Sequence, residues 1–275
     1  MEIRGEQARV LVVVKASPQP SAKYGDTVCV AGIRLDVDPY QWIRLYPVPF
    51  RYMGAESQFR KYDIIEATVR RRHQDSRPES YVPDVETVRV VDHLDGWKRR
   101  AAILGMMPAA TTCGLMQAAS ARHDAPSLGL VRVRELERVE LEDHPGWSEA
   151  ERAKIAQSMN ISELDLFGSR AKPAALREPR LKLRYRYRCE APGCPGHGGQ
   201  NLDWELTAFQ NRSRDLSIEE LRAAVDKRFG RMMFADSRAP SLFMGNFEAA
   251  IKRGVFSVLG TYYPPVEIAE RVPLF

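Results

Sequence analysis

From position 180 to position 188 the chain alternates strictly. Arg180, Lys182, Arg184, Arg186 and Arg188 are cationic, and Leu181, Leu183, Tyr185 and Tyr187 stand between them. In an extended strand successive side chains point to opposite faces, so a period of two places all five cations on one side. A helix would scatter the same charges around its circumference. The segment must therefore be a strand with an apolar face against a core and a basic face turned away from it.

The strand runs straight into RCEAPGCPGHGGQ, where Cys189, Cys194 and His197 follow at x4 and x2 spacing. Thiolates and imidazole suit tetrahedral zinc, and the intervening Pro and Gly residues permit a tight turn. A fourth ligand is needed, and Asp203, Glu205, the distant Cys113 or a water can supply it. Four protein ligands make a structural site, whereas three plus a water make a catalytic one. The competing reading is two idle thiols beside a loop histidine. Cys29 lies in a strand-like run and Cys113 in a helical one, where each reads as a small buried hydrophobe rather than a nucleophile.

Composition enters through charge. The formal excess of +5 is not spread along the chain: residues 1–150 hold 21 basic and 21 acidic side chains, and residues 191–275 hold 10 and 10. Residues 151–190 hold 10 and 5, so the excess sits around the alternating strand. Cations repeating at roughly 6.6 Å along one face match a phosphate backbone and give salt-sensitive, sequence-independent affinity. The bland alternative is a face neutralised by neighbouring strands, Asp203 and Glu205 included.

The first 90 residues read as β-rich, with strand-like runs at 10–15, 27–35, 41–46, 62–71 and 87–91, separated by turn residues. Short strands at this spacing suggest a small barrel. Residues 94–120 read as helical with a break near Pro108, and 128–141 return to a strand. Ser148 with Glu151, and Ser217 with Glu220, are capping boxes that open helices; the second helix puts Ile218, Leu221, Val225 and Phe229 on one face. Residues 201–209, 241–247 and 254–259 read as further strands. The expected class is α+β and β-rich, with OB-like barrel structure over 1–147, a capped helix and linker over 148–179, and a small mixed domain carrying the Cys/His cluster over 180–275.

On a strand, Asp203 and Glu205 share a face, and paired carboxylates can hold a second divalent metal for phosphodiester hydrolysis or act as acid and base. No Walker loop, G-x-G-x-x-G, H-x-E or G-x-S-x-G motif occurs. No run reaches the roughly 18 apolar residues of a membrane span. The start lacks the long apolar core of a signal peptide, and four cysteines in 275 residues are no disulfide scaffold. A cytoplasmic location is expected.

Residues 10–15, then Val28-Cys29-Val30-Ala31-Gly32-Ile33 and Trp42-Ile43-Arg44-Leu45, resemble the dual OB-containing domain family of bacterial proteins. The similarity extends over about residues 8–145, including Ser127-Leu-Gly-Leu-Val131. It implies two small barrels and a nucleic-acid-related role, commonly in bacterial defence or genome conflict. The C-terminal half is similar to uncharacterised bacterial proteins. If the first barrel binds a strand, Trp42, Arg44 and Arg51, with Tyr46, Phe50 and Tyr52, supply rings for stacking and cations for phosphate. Three functions follow as expectations: a single-strand or RNA binder, a metal-dependent nuclease using Asp203 and Glu205, or a zinc-stabilised protein-interaction adaptor.

Overall fold

The computed structural model describes residues 5–18, 20, 27–163 and 176–271. Residues 164–175 of the expected capped helix and linker over 148–179 fall outside them. Six strands build the N-terminal sheet: β1 (Glu6–Lys15), β2 (Val28–Arg34), β3 (Gln41–Val48), β4 (Asp63–Arg71), β5 (Ser80–Pro83) and β6 (Arg89–His93). β1 pairs antiparallel with both β2 and β4, and β3 pairs parallel with β5, which returns to β4. The order β1-β2-β3-β5-β4-β1 is a closed five-strand barrel with β6 appended to β4. Closure leaves no unpaired edge within the ring.

Two helices, α1 (Trp97–Leu104) and α2 (Thr112–Ala121), lead to β7 (Leu128–Asp143), after which comes α3 (Glu149–Glu163). The capping box expected at Ser148 is present, with the Ser148 amide donating to Glu151 Oε2 at 2.8 Å. β8 (Leu181–Cys189) and β9 (His197–Gln200) form a hairpin, and α4 (Trp204–Arg212) and α5 (Ile218–Val225) follow. α5 carries the second capping box and runs on as π-helical turns over Asp226–Arg231. β10 (Ser241–Asn246), β11 (Phe256–Tyr262) and α6 (Val266–Arg271) complete the chain described.

The second sheet has the order β11-β10-β7-β8-β9. A parallel bridge between Asn201, just past β9, and Val258 in β11 joins its two ends. Counted within its own half, each sheet thus runs first, second, third, fifth, fourth and back to first, with third and fifth parallel. The fold is α+β and β-rich, and one connectivity is used twice. The boundary between sheets falls between β6 and β7, so β7, although inside residues 1–147, belongs to the second sheet.

Three apolar clusters follow from this arrangement. One fills the first barrel with Val10, Val12, Val30, Ile43, Leu45 and Ile65, among others. Another fills the second with Leu181, Leu183, Tyr185, Tyr187, Leu221, Val225 and Phe229. The third lies between the barrels, where Leu11, Val13, Ile33 and Ile64 meet Leu130, Phe243, Leu259 and Tyr262. β1 is buried from Val10 to Val14 because alternate residues serve two different cores.

The strand expected over 201–209 is instead a turn and a helix. β9 stops at Gln200, and the Asp203 side chain accepts from the Glu205 amide at 2.9 Å, starting α4. Asp at this position satisfies an amide that the first helical turn leaves unpaired. Asp203 and Glu205 therefore do not share a strand face: Asp203 is buried and Glu205 exposed.

Candidate metal centre and nucleic-acid interface

The β8–β9 hairpin brings Cys189, at the end of β8, close to Cys194 in the turn and His197 at the start of β9. Gly193, with φ +65°, supplies the left-handed residue the turn requires. The fourth group is Cys113, from the first turn of α2, 76 residues before Cys189. Its sulfur lies 3.7 Å from Cys189 Sγ and 3.3 Å from His197 Nε2. Cys189 and Cys194 sulfurs are 3.6 Å apart, and His197 Nε2 stands 3.5 and 3.2 Å from them. All four ligand atoms lie within 4.8 Å of one another.

Metal–sulfur bonds of about 2.3 Å and metal–nitrogen bonds of about 2.0 Å imply tetrahedral edges of about 3.5–3.8 Å. The observed separations fit that figure closely, so the donor set can hold a metal ion such as zinc. Without a metal the electrostatics are divided. Burial, then hydrogen bonds with Cys189 and Cys194, push the Cys113 thiol up to about 12, so its ionisation has to be driven by the ion it binds. Burial opposes ionisation of Cys189 too, but the amides of Cys113 and Ala191 bring it net below its ordinary value. Burial lowers His197 and favours the neutral imidazole that binds metal. Of the fourth ligands open at the outset, Cys113 is the one in place, half-buried against the core as well as beside the other three groups. Asp203 and Glu205 belong to no such cluster among the described residues.

The cations of β8 do share one face, with Leu181, Leu183, Tyr185, Tyr187 and Cys189 buried on the other. Most of that face is already engaged. Arg186 Nε lies 3.0 Å from both carboxylate oxygens of Glu140, and Arg188 Nε lies 3.0 Å from Glu137. Arg180 donates to the Leu216 carbonyl and Arg184 to that of Gly198, while Lys182 stands opposite Glu142 in register. The acidic partners come from β7, not from Asp203 and Glu205.

The residues proposed on the first barrel do not form one exposed stripe. Trp42 is half-buried and packs edge-on to Phe243 between the barrels. Arg44 is 3% exposed and donates to Cys29 Sγ and to Ser127. Arg51 is half-buried in a short 3-10 turn, Phe50–Tyr52.

A different set of cations converges where the barrels meet. Lys15 at the end of β1, Arg60 and Lys61 before β4, Arg212 of α4 and Arg228 of the π-helical turns line a recess of about 340 Å³. Trp204, His93 and Glu205 complete its wall. Asp63 holds His93 through a 2.5 Å contact to Nδ1, and Lys61 crosses to the Thr261 carbonyl of β11. Burial pulls Lys15 down to about 8, with Glu205, Asp203 and Asp63 opposing it. Behind the wall, burial raises Asp203 to about 6; Lys61 pulls it down and Glu205 pushes it up. No sequence motif marks this recess, because its basic residues are dispersed through segments of balanced charge.

The fold and the cluster define a β-rich protein in which a closed barrel is joined to a second sheet that carries a Cys3His cluster able to hold a metal ion. Residues 108–275 match the family described as a domain of unknown function, DUF8757, and residues 6–106 match the one described as DUF8758. The first match covers more than half of the chain, which belongs to the DUF8757 family. The two matches meet between α1 and α2, upstream of the second sheet. No curated protein matches the chain.

Proposed function

We propose that this protein binds a nucleic-acid strand through the backbone, as a single strand or RNA, and that zinc at the Cys3His centre is structural. The observation that carries the reading is the recess, which five cations line together with the half-buried Trp204. Cations that track phosphates beside a ring on which bases stack are the ingredients of sequence-tolerant strand binding. Four protein ligands leave the metal no open position, which favours a scaffold role over hydrolysis.

The test is fluorescence anisotropy with a labelled single-stranded oligonucleotide across a salt series. Contacts to four or five phosphates predict a log–log slope of about −3. Charge reversal at the exposed Arg60 and Arg212 together should weaken binding at least about tenfold at low salt. Alanine at Lys182, Arg184 and Arg186 together should change it by less than about threefold, since most of that face is matched by β7. If the triple alanine variant flattens the slope and the charge reversals do not, the interface is the β8 ridge and not the recess.

A further inference from the structure

Besides its cations, the recess is lined by one imidazole and one carboxylate, His93 and Glu205, and each half of the chain supplies one of them. His93 ends β6, opposite Asp63 of β4 in register. Asp63 is 3% exposed, and its Oδ1 lies 2.5 Å from His93 Nδ1 and 3.8 Å from Arg60 Nε. A guanidinium therefore stands beside the ring. The other ring nitrogen, Nε2, lies 3.3 Å from Asp95, whose side chain is 83% exposed and can yield its place to a ligand oxygen. A ring with an acceptor at each nitrogen serves as a two-donor imidazolium, with a proton to give.

Glu205 reaches the recess from α4. Positions i, i+3 and i+7 share one face of a helix, and here they are Glu205, Ala208 and Arg212, all three in the lining. Lys15 interacts electrostatically with Glu205 and with Asp63, the partner of His93, which sets one cation close to both groups. No lining residue carries a hydroxyl or a thiol, so the protein itself offers no nucleophile of that kind. A strand of RNA brings its own, because a 2′-hydroxyl stands next to each phosphodiester.

We propose that the recess cleaves RNA by transesterification, with Glu205 as base and His93 as acid, an inference that rests on the strand-binding reading of the same site. Glu205 takes the proton of a 2′-hydroxyl, whose oxygen forms a bond to the adjacent phosphorus. The bond from that phosphorus to the 5′ oxygen breaks, and the oxygen leaves with the proton of His93 Nε2. The products are a 2′,3′-cyclic phosphate and a 5′-hydroxyl end, and no water, oxidant or reductant is consumed. Lys15 and Arg60 offset the charge that builds on the phosphorus oxygens, where fixed cations contribute most. Asp63 fixes the orientation of the ring. DNA lacks the nucleophile and is bound without being cut.

The test uses the full chain with a labelled single-stranded RNA and the DNA of the same sequence, in buffer without added divalent cations. Anisotropy reports binding, while denaturing gels and mass spectrometry report cleavage and the new ends. RNA should be cut to 2′,3′-cyclic phosphate ends, and DNA should stay intact. One 2′-deoxynucleotide placed in the RNA should abolish cleavage at its own 3′ phosphate, a result that depends on no variant's folding. In single turnovers at saturating protein, His93→Gln and Glu205→Gln should each slow cleavage at least about a hundredfold. Asp63→Asn should lower kcat at least about tenfold at nearly constant KM, as expected of a residue that positions the ring. Intact RNA on a protein that binds it, or cleavage undiminished in both variants, overturns the catalytic inference and leaves the binding reading standing. Absence of RNA binding overturns both.

Discussion

Asp203 caps α4 from a buried position, and its two roles pull in opposite directions. The cap favours an oxygen acceptor, which a neutral side chain also provides, while burial penalises the charge. Its folded value of about 6 lies above the ordinary 3.8, so its contribution is complete below about pH 4 and lost as pH rises through 6. Asp203→Asn keeps the cap and removes the ionised carboxylate. It should stabilise the protein by about 2–3 kcal/mol at pH 7.5 and by almost nothing at pH 4. Urea unfolding at the two pH values checks this, and a less stable variant at pH 7.5 would mean that attraction to Lys61 outweighs burial. The same residue shows why a sequence can mislead at single positions. Asp203 and Glu205 fit an i, i+2 strand pair and an N-cap with its first-turn acid equally well. What places the chain here is a pair of distant bridges, Asn201–Val258 and Ala16–Asp203, and neither leaves a local trace.

Among elements, α2 is the one the Cys3His cluster joins to the β8–β9 hairpin, through Cys113 in its first turn. The purified chain should carry one zinc, and Cys113→Ser should weaken its retention at least about tenfold. Hydrogen exchange should then rise in both α2 and the hairpin. Faster exchange in the hairpin alone would show that α2 is held by packing, not by the ion. β8 was legible from its alternation, and Cys189, Cys194 and His197 from their spacing, since both signals are local. β9 was not, for its HGGQ sequence carries neither alternation nor a β-branched residue. Cys113 could be entered only among several ligands, because a 76-residue separation leaves no periodic trace. The neutralising glutamates of β7 were in plain view, but their register against β8 depends on two bulges that composition does not encode.

For the whole molecule, the apolar layer between the barrels decides how independent they are. Leu11, Val13, Ile33 and Ile64 on one side face Phe243, Leu259 and Tyr262 on the other, a contact of core character that a pair of loosely tethered domains would lack. Calorimetry should show a single unfolding transition, and a fragment of residues 1–106 should aggregate or remain molten. Two resolved transitions would instead make each barrel its own folding unit. The double use of β1 also bears on biosynthesis. Its inner face can be satisfied once β4 and β5 have emerged, but its outer face needs β11, which begins only at Phe256. A nascent first barrel thus keeps an apolar flank uncovered while everything from β6 to β11 is being made, an interval in which such a surface is open to wrong contacts.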